Sequence, residues 1–350
     1  MRFKVFGNSG LRVSEMALGA MTFGTEWGFG SEKDECRRIW DTYVEAGGNF
    51  IDTANHYTAG TSETWVGEFA RDDRHRHVIA TKYTLATPAG DPNASGNHRK
   101  SVVRAVEASL RRLGTDFIDL YWVHAWDYIT PAEEILRALD DLVRAGKVLY
   151  VGVSDAPAWA IARSNVIAEL RGWSAFCGVQ LQYSLIERGI EREHLPLARA
   201  TDLAVTVWGA IGGGVLSGKY LDGAVAGRYA SRAEHPRLTD ERNRAIARVA
   251  VDAAREIGCT PTQLALAWVR RRDARIIPII GVRNAEQTAE AIGALDVTIP
   301  DEIDARLCEA SAIPLGFPYD FLETNEVRGI VYGGALDRLD VYRPVGWNRD

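Results

Sequence analysis

The chain has 350 residues, 46% of them hydrophobic and 25% charged, which is ample material for a large core. Its formal net charge is −6 with no long run of one sign, which speaks against nucleic acid or an anionic membrane surface as partners. No apolar run is long enough to span a bilayer, the start MRFKVFGNSGLRVSEMALGA lacks a signal-peptide pattern, and four scattered cysteines without CxxC pairs read as reduced thiols of a cytoplasmic protein rather than a zinc site.

The first expected element is a hairpin, Phe3–Phe6 with Leu11–Val13, turned by Gly7-Asn8-Ser9-Gly10. Short apolar runs then alternate with longer helical patterns. The expected strands are Met16–Gly19, Phe50–Asp52, Val78–Thr81, Phe117–Trp122, Tyr150–Ser154, Gly178–Leu181, Ala204–Trp208 and Ile276–Ile280. Ser31 is placed to cap a helix over Glu32–Ala46, and Lys100–Leu113 reads as a helix stopped by Gly114. Thr130-Pro131-Ala132-Glu133 has the N-cap, first-turn proline and acidic first turn of a helix running to Gly146. Helical patterns follow at Asp240–Ile257 and at Thr262–Arg271, the second opened by Thr260-Pro261.

Eight near-continuous apolar strands, each followed by a helix, imply parallel strands buried on both faces. The α/β class that such a series forms best is a (β/α)8 TIM barrel, here with an N-terminal β-hairpin. An open doubly wound sheet is the alternative, but no G-x-G-x-x-G spacing follows any strand. With no repeat or linker, residues 1–350 are expected to form one barrel domain. Residues 217–238, rich in glycine, alanine and arginine, are expected to act as a flap, and residues 314–350 form an aromatic tail.

The functional face of such a barrel lies at the carboxyl ends of its strands. In FIDTANHYTAGTSE an apolar strand ends in Asp52, with Tyr57 in the loop beyond. Lys82 ends the next strand in VIATKY, and His124 the one after in IDLYWVHAWD. Each alone reads equally well as a cap, a rim residue, a solvated cation or a core histidine. At the ends of consecutive strands, however, the four converge. A tyrosine near pKa 10 is a weak acid; an adjacent ammonium is expected to pull that value down. A carboxylate supplies the counter-charge that a buried ammonium needs. A neutral histidine can orient a substrate oxygen. The set is a proton donor aimed at a carbonyl oxygen, and it contains no nucleophile and no metal, so the electrons must come from a cofactor by hydride transfer.

These phrases resemble the aldo-keto reductase family. The similarity continues through GVSD (Gly152–Asp155), VQLQYSLIER (Val179–Arg188), VWGAIGGGVLSGKY (Val207–Tyr220) and IPIIGVRNAEQTAE (Ile277–Glu290), in one unbroken order, with a flavour closest to the branch of bacterial reductases and potassium-channel β subunits. The resemblance implies Tyr57 as general acid, Asp52 and Lys82 as the pair that tunes it, and His124 as the residue orienting the carbonyl. It implies that Ser154, Asp155 and Gln180 hold a nicotinamide carboxamide and that Trp208 stacks on the ring. Gly209, Ala210, Ile211, Gly212, Leu216, Ser217, Gly218 and Lys219 match the run along ribose and pyrophosphate, where small residues let N–H groups approach phosphate. Met21 belongs to the same cofactor set, and Gly281, Val282, Arg283, Gln287, Glu290 and Ala291 match its adenosine end.

Arg283 and Gln287 at a helix start suit a ribose 2′-phosphate better than free ribose hydroxyls, so the expected cofactor is NADPH. Three positions depart from the family pattern. Asp155 stands for the usual asparagine and, ionised, cannot donate to the carboxamide oxygen, leaving Ser154 or Gln180 to do so. Gly209-Ala210 replaces Ser-Pro, and Ala291 replaces an asparagine that meets the adenine. All three are expected to weaken cofactor binding and none touches the four catalytic residues.

Trp27, Phe29, Trp126 and Tyr128 are expected to wall the substrate pocket, with Phe317 and Tyr319 folding over from the tail. An aromatic pocket suits a small-molecule aldehyde or ketone, aryl or alkyl, or a sugar. The expected activity is NADPH-dependent reduction of such a carbonyl to the alcohol. The alternatives are a cofactor-binding redox-sensing regulatory subunit and a Schiff-base lyase using Lys82, the latter opposed by the carboxylate that keeps the lysine charged.

Overall fold

In the computed structural model, which describes residues 1–86, 90–221, 238 and 240–340, eight parallel strands close into a barrel. An antiparallel hairpin, β1 (Phe3–Val5) with β2 (Arg12–Ser14), precedes it. The barrel strands are β3 (Ala17–Gly19), β4 (Phe50–Asp52), β5 (Val78–Tyr83), β6 (Ile118–Val123), β7 (Val148–Ser154), β8 (Gly178–Gln182), β9 (Ala204–Trp208) and β10 (Ile276–Gly281). They follow one another in sequence order around the ring, and β10 pairs with β3 to close it. The (β/α)8 TIM barrel with an N-terminal hairpin is therefore the fold, and each expected strand forms within a few residues of its expected bounds.

The surrounding helices are α1 (Lys33–Glu45), α2 (Thr61–Ala70), α3 (Arg99–Leu113), α4 (Ala132–Arg144), α5 (Ala158–Arg171), α6 (His194–Thr201), α7 (Glu241–Ile257), α8 (Pro261–Arg272), α9 (Ala285–Ile292) and α10 (Asp301–Ala310). Two short helices follow, α11 (Tyr319–Leu322) and α12 (Asn325–Val331). Among the described residues no helix is long and apolar enough to cross a membrane.

Two helix starts differ from expectation. Ser31 does not cap α1: its hydroxyl donates to the Arg283 carbonyl at 2.7 Å, and Glu32 takes the cap position without a side-chain bond. Thr130 does not cap α4, because the Asp127 carboxylate accepts from both its hydroxyl and its N–H, a charge-assisted bond that outcompetes a helical amide. By contrast Thr260 forms a reciprocal capping box with Gln263 at the start of α8, and Asp240 caps α7. The flap expected over residues 217–238 falls largely outside the described residues, as does the tail from 341 onward.

Strand alternation builds two cores. Met16, Leu18, Ile51, Ile79, Tyr121, Val151 and Val205 face the helices. Phe50, Ala80, Leu120, Trp122, Ala204, Ile277 and Ile279 fill the barrel. The hairpin completes this second core. Phe6, fully buried, packs edge-on against Phe50 and Trp122 with ring centroids 5.7 and 6.2 Å away. Gly7 makes the approach possible: at φ +56° it lies so close to the next strand that a Cβ would fall 2.0 Å from the Cys177 carbonyl. The amino-terminal end of the barrel is thus stoppered. Its chemistry must happen at the other end.

Candidate active site

The same alternation carries the reactive side chains inward. Phe50 points into the barrel, so Asp52 does too; Ala80 brings Lys82, Trp122 brings His124, and Ala204 brings Thr206 and Trp208. Gly152 lies against the Trp122 ring, where its Cβ would come within 2.4 Å, so Ser154 two residues on shares that inward face. Parallel register then aligns the strand ends: Asp52 pairs with Ala80 and Lys82 with Trp122.

Lys82 is completely buried, and its ammonium donates to three oxygens: Asp52 Oδ2 at 2.5 Å, the Thr53 carbonyl at 2.8 Å and the Tyr57 hydroxyl at 3.2 Å. Three protons meet three acceptors. Burial alone would depress its pKa, but Asp52 and Tyr57 reverse that and hold it above the ordinary lysine value. Lys82 therefore stays an ammonium and is no Schiff-base nucleophile.

Tyr57 is half-buried at the start of a turn in which Thr58 and Ala59 both adopt positive φ, 46° and 55°. Neither is glycine, so the turn is strained and must be held. Thr58 holds it by donating its hydroxyl to the Phe23 carbonyl at 2.6 Å and accepting from the Ser62 N–H at 3.2 Å. The expectation that Lys82 would bring the phenol below its usual pKa is not met. Burial raises it by more than Lys82 lowers it, and Asp52 and Asp155 add to the rise. The phenol is thus a protonated donor at neutral pH, held by an ammonium that accommodates phenolate once the proton leaves.

His124 stands edge-on to the Tyr57 ring, centroids 5.7 Å apart. Burial, then Lys82 and His56, press its pKa well below the ordinary histidine value, so it is neutral. Its Nδ1 is buried with no hydrogen-bond partner.

The expected cofactor residues line one side of the same mouth. Gln180 is committed differently from expectation: its Nε2 donates to Asp52 Oδ1 at 2.8 Å, leaving only its second amide proton for a carboxamide. Asp155, at φ +45°, accepts from Trp208 Nε1 at 3.2 Å, and its own N–H donates to the Gln180 carbonyl at 3.1 Å. The run Gly212–Ser217 turns tightly through glycines at positive φ, and a Cβ on Gly214 would fall 2.9 Å from Lys219 Nζ. Ser217 spends its hydroxyl on the Gly214 carbonyl. Partial burial, and then Arg283, hold the Lys219 ammonium below its ordinary value. Two cations set against each other beside a glycine-lined backbone fit a polyanion such as a dinucleotide. Asn284 caps α9, and Gln287 turns its carbonyl oxygen back to the Arg283 N–H at 3.0 Å.

Not every expected contact is exposed. Met21, Gly209, Ile211, Gly218, Gln287 and Glu290 are partly open, and Gly281 is exposed. Ala210, Leu216 and Val282 are buried, so they present backbone alone. Ala291, expected at the adenosine end, is buried in the core instead, because α9 packs against α1 and α8.

On the substrate side Trp27 is the hub. It packs against Phe29 at 5.9 Å, His56 at 5.5 Å and Tyr57 at 6.0 Å between centroids. Trp126 is half-buried, with its N–H on the Asp155 carbonyl. Tyr128 is not part of the wall. It is 71% exposed, turned outward at φ +61° by the Asp127 side chain, which accepts from the N–H groups of Ile129 and Thr130. Nor does the tail fold over: Phe317 is 84% exposed, and Tyr319 lines a cavity of about 440 Å³ with Tyr183, Leu195 and Arg272 on the flank of the barrel. Sequence reasoning passed over His56, which anchors Trp27 and bonds the Ala86 carbonyl through Nδ1 at 2.8 Å; its position beside Tyr57 was the available signal.

Comparison with known proteins agrees with this geometry. Residues 15–312 match the model of the Aldo/keto reductase family. The chain is 38% identical over 324 residues to norsolorinic acid reductase of Emericella nidulans, covering 90% of this chain and 82% of that protein. It is 34% identical over 349 residues to aryl-alcohol dehydrogenase [NADP(+)] of Phanerodontia chrysosporium, covering 93% and 90%. An aryl-alcohol dehydrogenase of Pestalotiopsis microspora is also 34% identical, covering 90% and 83%. The ordered motifs, the closed barrel and these similarities together establish that the chain is an oxidoreductase belonging to the aldo/keto reductase family.

Proposed function

We propose that this protein reduces the carbonyl of an aromatic aldehyde or ketone to the alcohol with NADPH, and that it also runs the reverse oxidation. The observation that carries the reading is the Tyr57 hydroxyl, 3.2 Å from a buried ammonium whose other protons are taken by Asp52 and Thr53. When bound, reduced nicotinamide supplies hydride to the carbonyl carbon.

The protein's own residues do the rest. Tyr57 gives its proton to the carbonyl oxygen, and the phenolate left behind is stabilised by Lys82. Neutral His124 offers an N–H to the same oxygen and fixes the carbonyl against the phenol. Asp52 keeps Lys82 charged, and Gln180 keeps Asp52 turned toward it. Trp208, tethered by Asp155, offers a flat face for the nicotinamide, while Lys219 and Arg283 supply charge for the phosphates.

The Trp27, Phe29 and His56 cluster beside Tyr57 favours a planar aromatic substrate. The names of two relatives, an aryl-alcohol dehydrogenase and one specified for NADP(+), support both the aryl group and the cofactor. Four free cysteines suit a reducing cytoplasm.

The test follows NADPH consumption over a panel of aryl, alkyl and sugar carbonyls, with wild type and Tyr57→Phe side by side and NADH as control. Aryl turnover that falls by about 10²–10⁴ without the phenol supports the reading. Cofactor binding with no turnover on any carbonyl would point instead to a redox-sensing subunit.

A further inference from the structure

Asp155 puts a carboxylate beside the Tyr57 end of the mouth, where the other groups are the Asp52–Lys82 pair, Tyr57 and His124; the cations Lys219 and Arg283 belong to the run beyond Trp208. Asp155 ends β7 at φ +45°, exposed within the cleft, and accepts from Trp208 Nε1 at 3.2 Å. Its N–H is fixed on the Gln180 carbonyl, and its own carbonyl takes the Trp126 N–H. The backbone of Asp155 is thus fixed on both sides, and the Trp208 bond holds its carboxylate at the mouth. Counting charges gives Lys82 at plus one and Asp52 and Asp155 at minus one each, with Tyr57 and His124 neutral. The floor of the site carries one uncompensated negative charge. An oxidised nicotinamide ring is a cation; the reduced ring is neutral.

We propose that Asp155 sets the redox preference of this site, its carboxylate stabilising the cationic oxidised ring over the neutral reduced one. The inference rests on the nicotinamide reading above. It identifies a residue that makes bound reduced nicotinamide the stronger hydride donor and so favours carbonyl reduction, beyond merely holding the ring in place.

The groups facing Asp155 are Lys82 from β5, Tyr57 from the loop after β4, Trp208 from β9, His194 from α6 and Ser154 on its own strand. Enclosure by the cleft walls raises its pKa, and the Trp208 bond, Lys82, Ser154 and His194 offset part of that rise. The preference for the oxidised ring should accordingly fade as the pH falls and Asp155 takes up a proton. The 2′-phosphate of the cofactor also titrates near pH 6, but it does so in both redox forms and cancels in their ratio.

The experiment is calorimetric binding of NADP⁺ and NADPH to wild type and Asp155→Asn between pH 5 and 8.5. Asparagine keeps the shape, tolerates the positive φ and removes the charge. The expected result is a dissociation-constant ratio, NADPH over NADP⁺, that drops about tenfold in the variant at pH 8. The wild-type ratio should move toward that of the variant as the pH falls, while the ratio of the variant itself stays flat. Both forms binding with an unchanged ratio, or both weakened equally, overturns the proposal and leaves the reductase reading standing. Failure of wild type to bind either form overturns both. If that variant does not fold, Asp155→Gly, which also tolerates the positive φ and removes the charge, decides by the same ratio at pH 8: an unchanged ratio sinks the idea.

Discussion

Gln180 donates its side-chain amide to Asp52 Oδ1 at 2.8 Å, joining β8 to β4 across the barrel mouth. In a ring of eight strands ordered β3 to β10 these two are diametrically opposite. The bond leaves Asp52 with one oxygen for Gln180 and one for Lys82, so the carboxylate cannot rotate without breaking both. It also ties the half of the site that holds Tyr57 and Lys82 to the half that holds Ser154 and Trp208.

Lys82→Met should abolish turnover and lower stability together. Removing the ammonium leaves Asp52 buried and uncompensated, at a cost of about 3–5 kcal/mol. The double variant Asp52→Asn/Lys82→Met should regain most of that stability without regaining activity. Urea unfolding and turnover of all three proteins check this; a single variant as stable as wild type would contradict it.

The pH dependence should differ between directions. Tyr57 is held above its ordinary value near 10 and His124 well below 6.5, so neither changes state between pH 6 and 9. Carbonyl reduction at saturating cofactor should be flat across that window. Alcohol oxidation needs the phenolate and should climb with pH throughout it. A reduction limb near pH 7 that survives in Asp155→Asn would contradict the assignment of His124 as neutral.

Phe6→Ala tests the stopper. The ring fills the amino-terminal core between Phe50 and Trp122, and its loss should cost about 3–5 kcal/mol. The site lies at the opposite end, so kcat of the folded variant should stay near wild type. Denaturant unfolding and assay below the transition separate the two effects.

His77 is buried against Trp40, ring centroids 4.9 Å apart, and burial lowers its pKa in the folded state. Below pH 6.5 the unfolded chain therefore takes up a proton that the folded one refuses, so stability falls as the pH drops from 6.5 toward the folded value. His124, also lowered, adds to the slope in the same sense. In His77→Gln the fall in melting temperature between pH 7 and pH 5 should be smaller than in wild type. An equal fall would remove His77 from the account.

Strand positions, the family and the convergence of Asp52, Tyr57, Lys82 and His124 were legible in the chain because each rests on local information. Apolar runs of four to six residues mark strands buried on both faces, and a period of two then turns the polar residue at each strand end inward. The order of those strand ends put Asp52, Tyr57, Lys82 and His124 side by side before any distance was measured. What was not legible depends on contacts between distant segments. The Gln180–Asp52 bond spans 128 positions and exists only because the sheet closes. The raised pKa of Tyr57 reflects how much protein surrounds it, a quantity no local pattern encodes. Ser31 and Thr130 left their expected caps for closer partners, Tyr128 was turned outward by an aspartate turn, and Ala291 faced the core. Local propensity acts over a few residues and fractions of a kilocalorie. Closure of the barrel fixes where everything else stands, and it overrides those preferences wherever a nearer charge or a packed surface offers more.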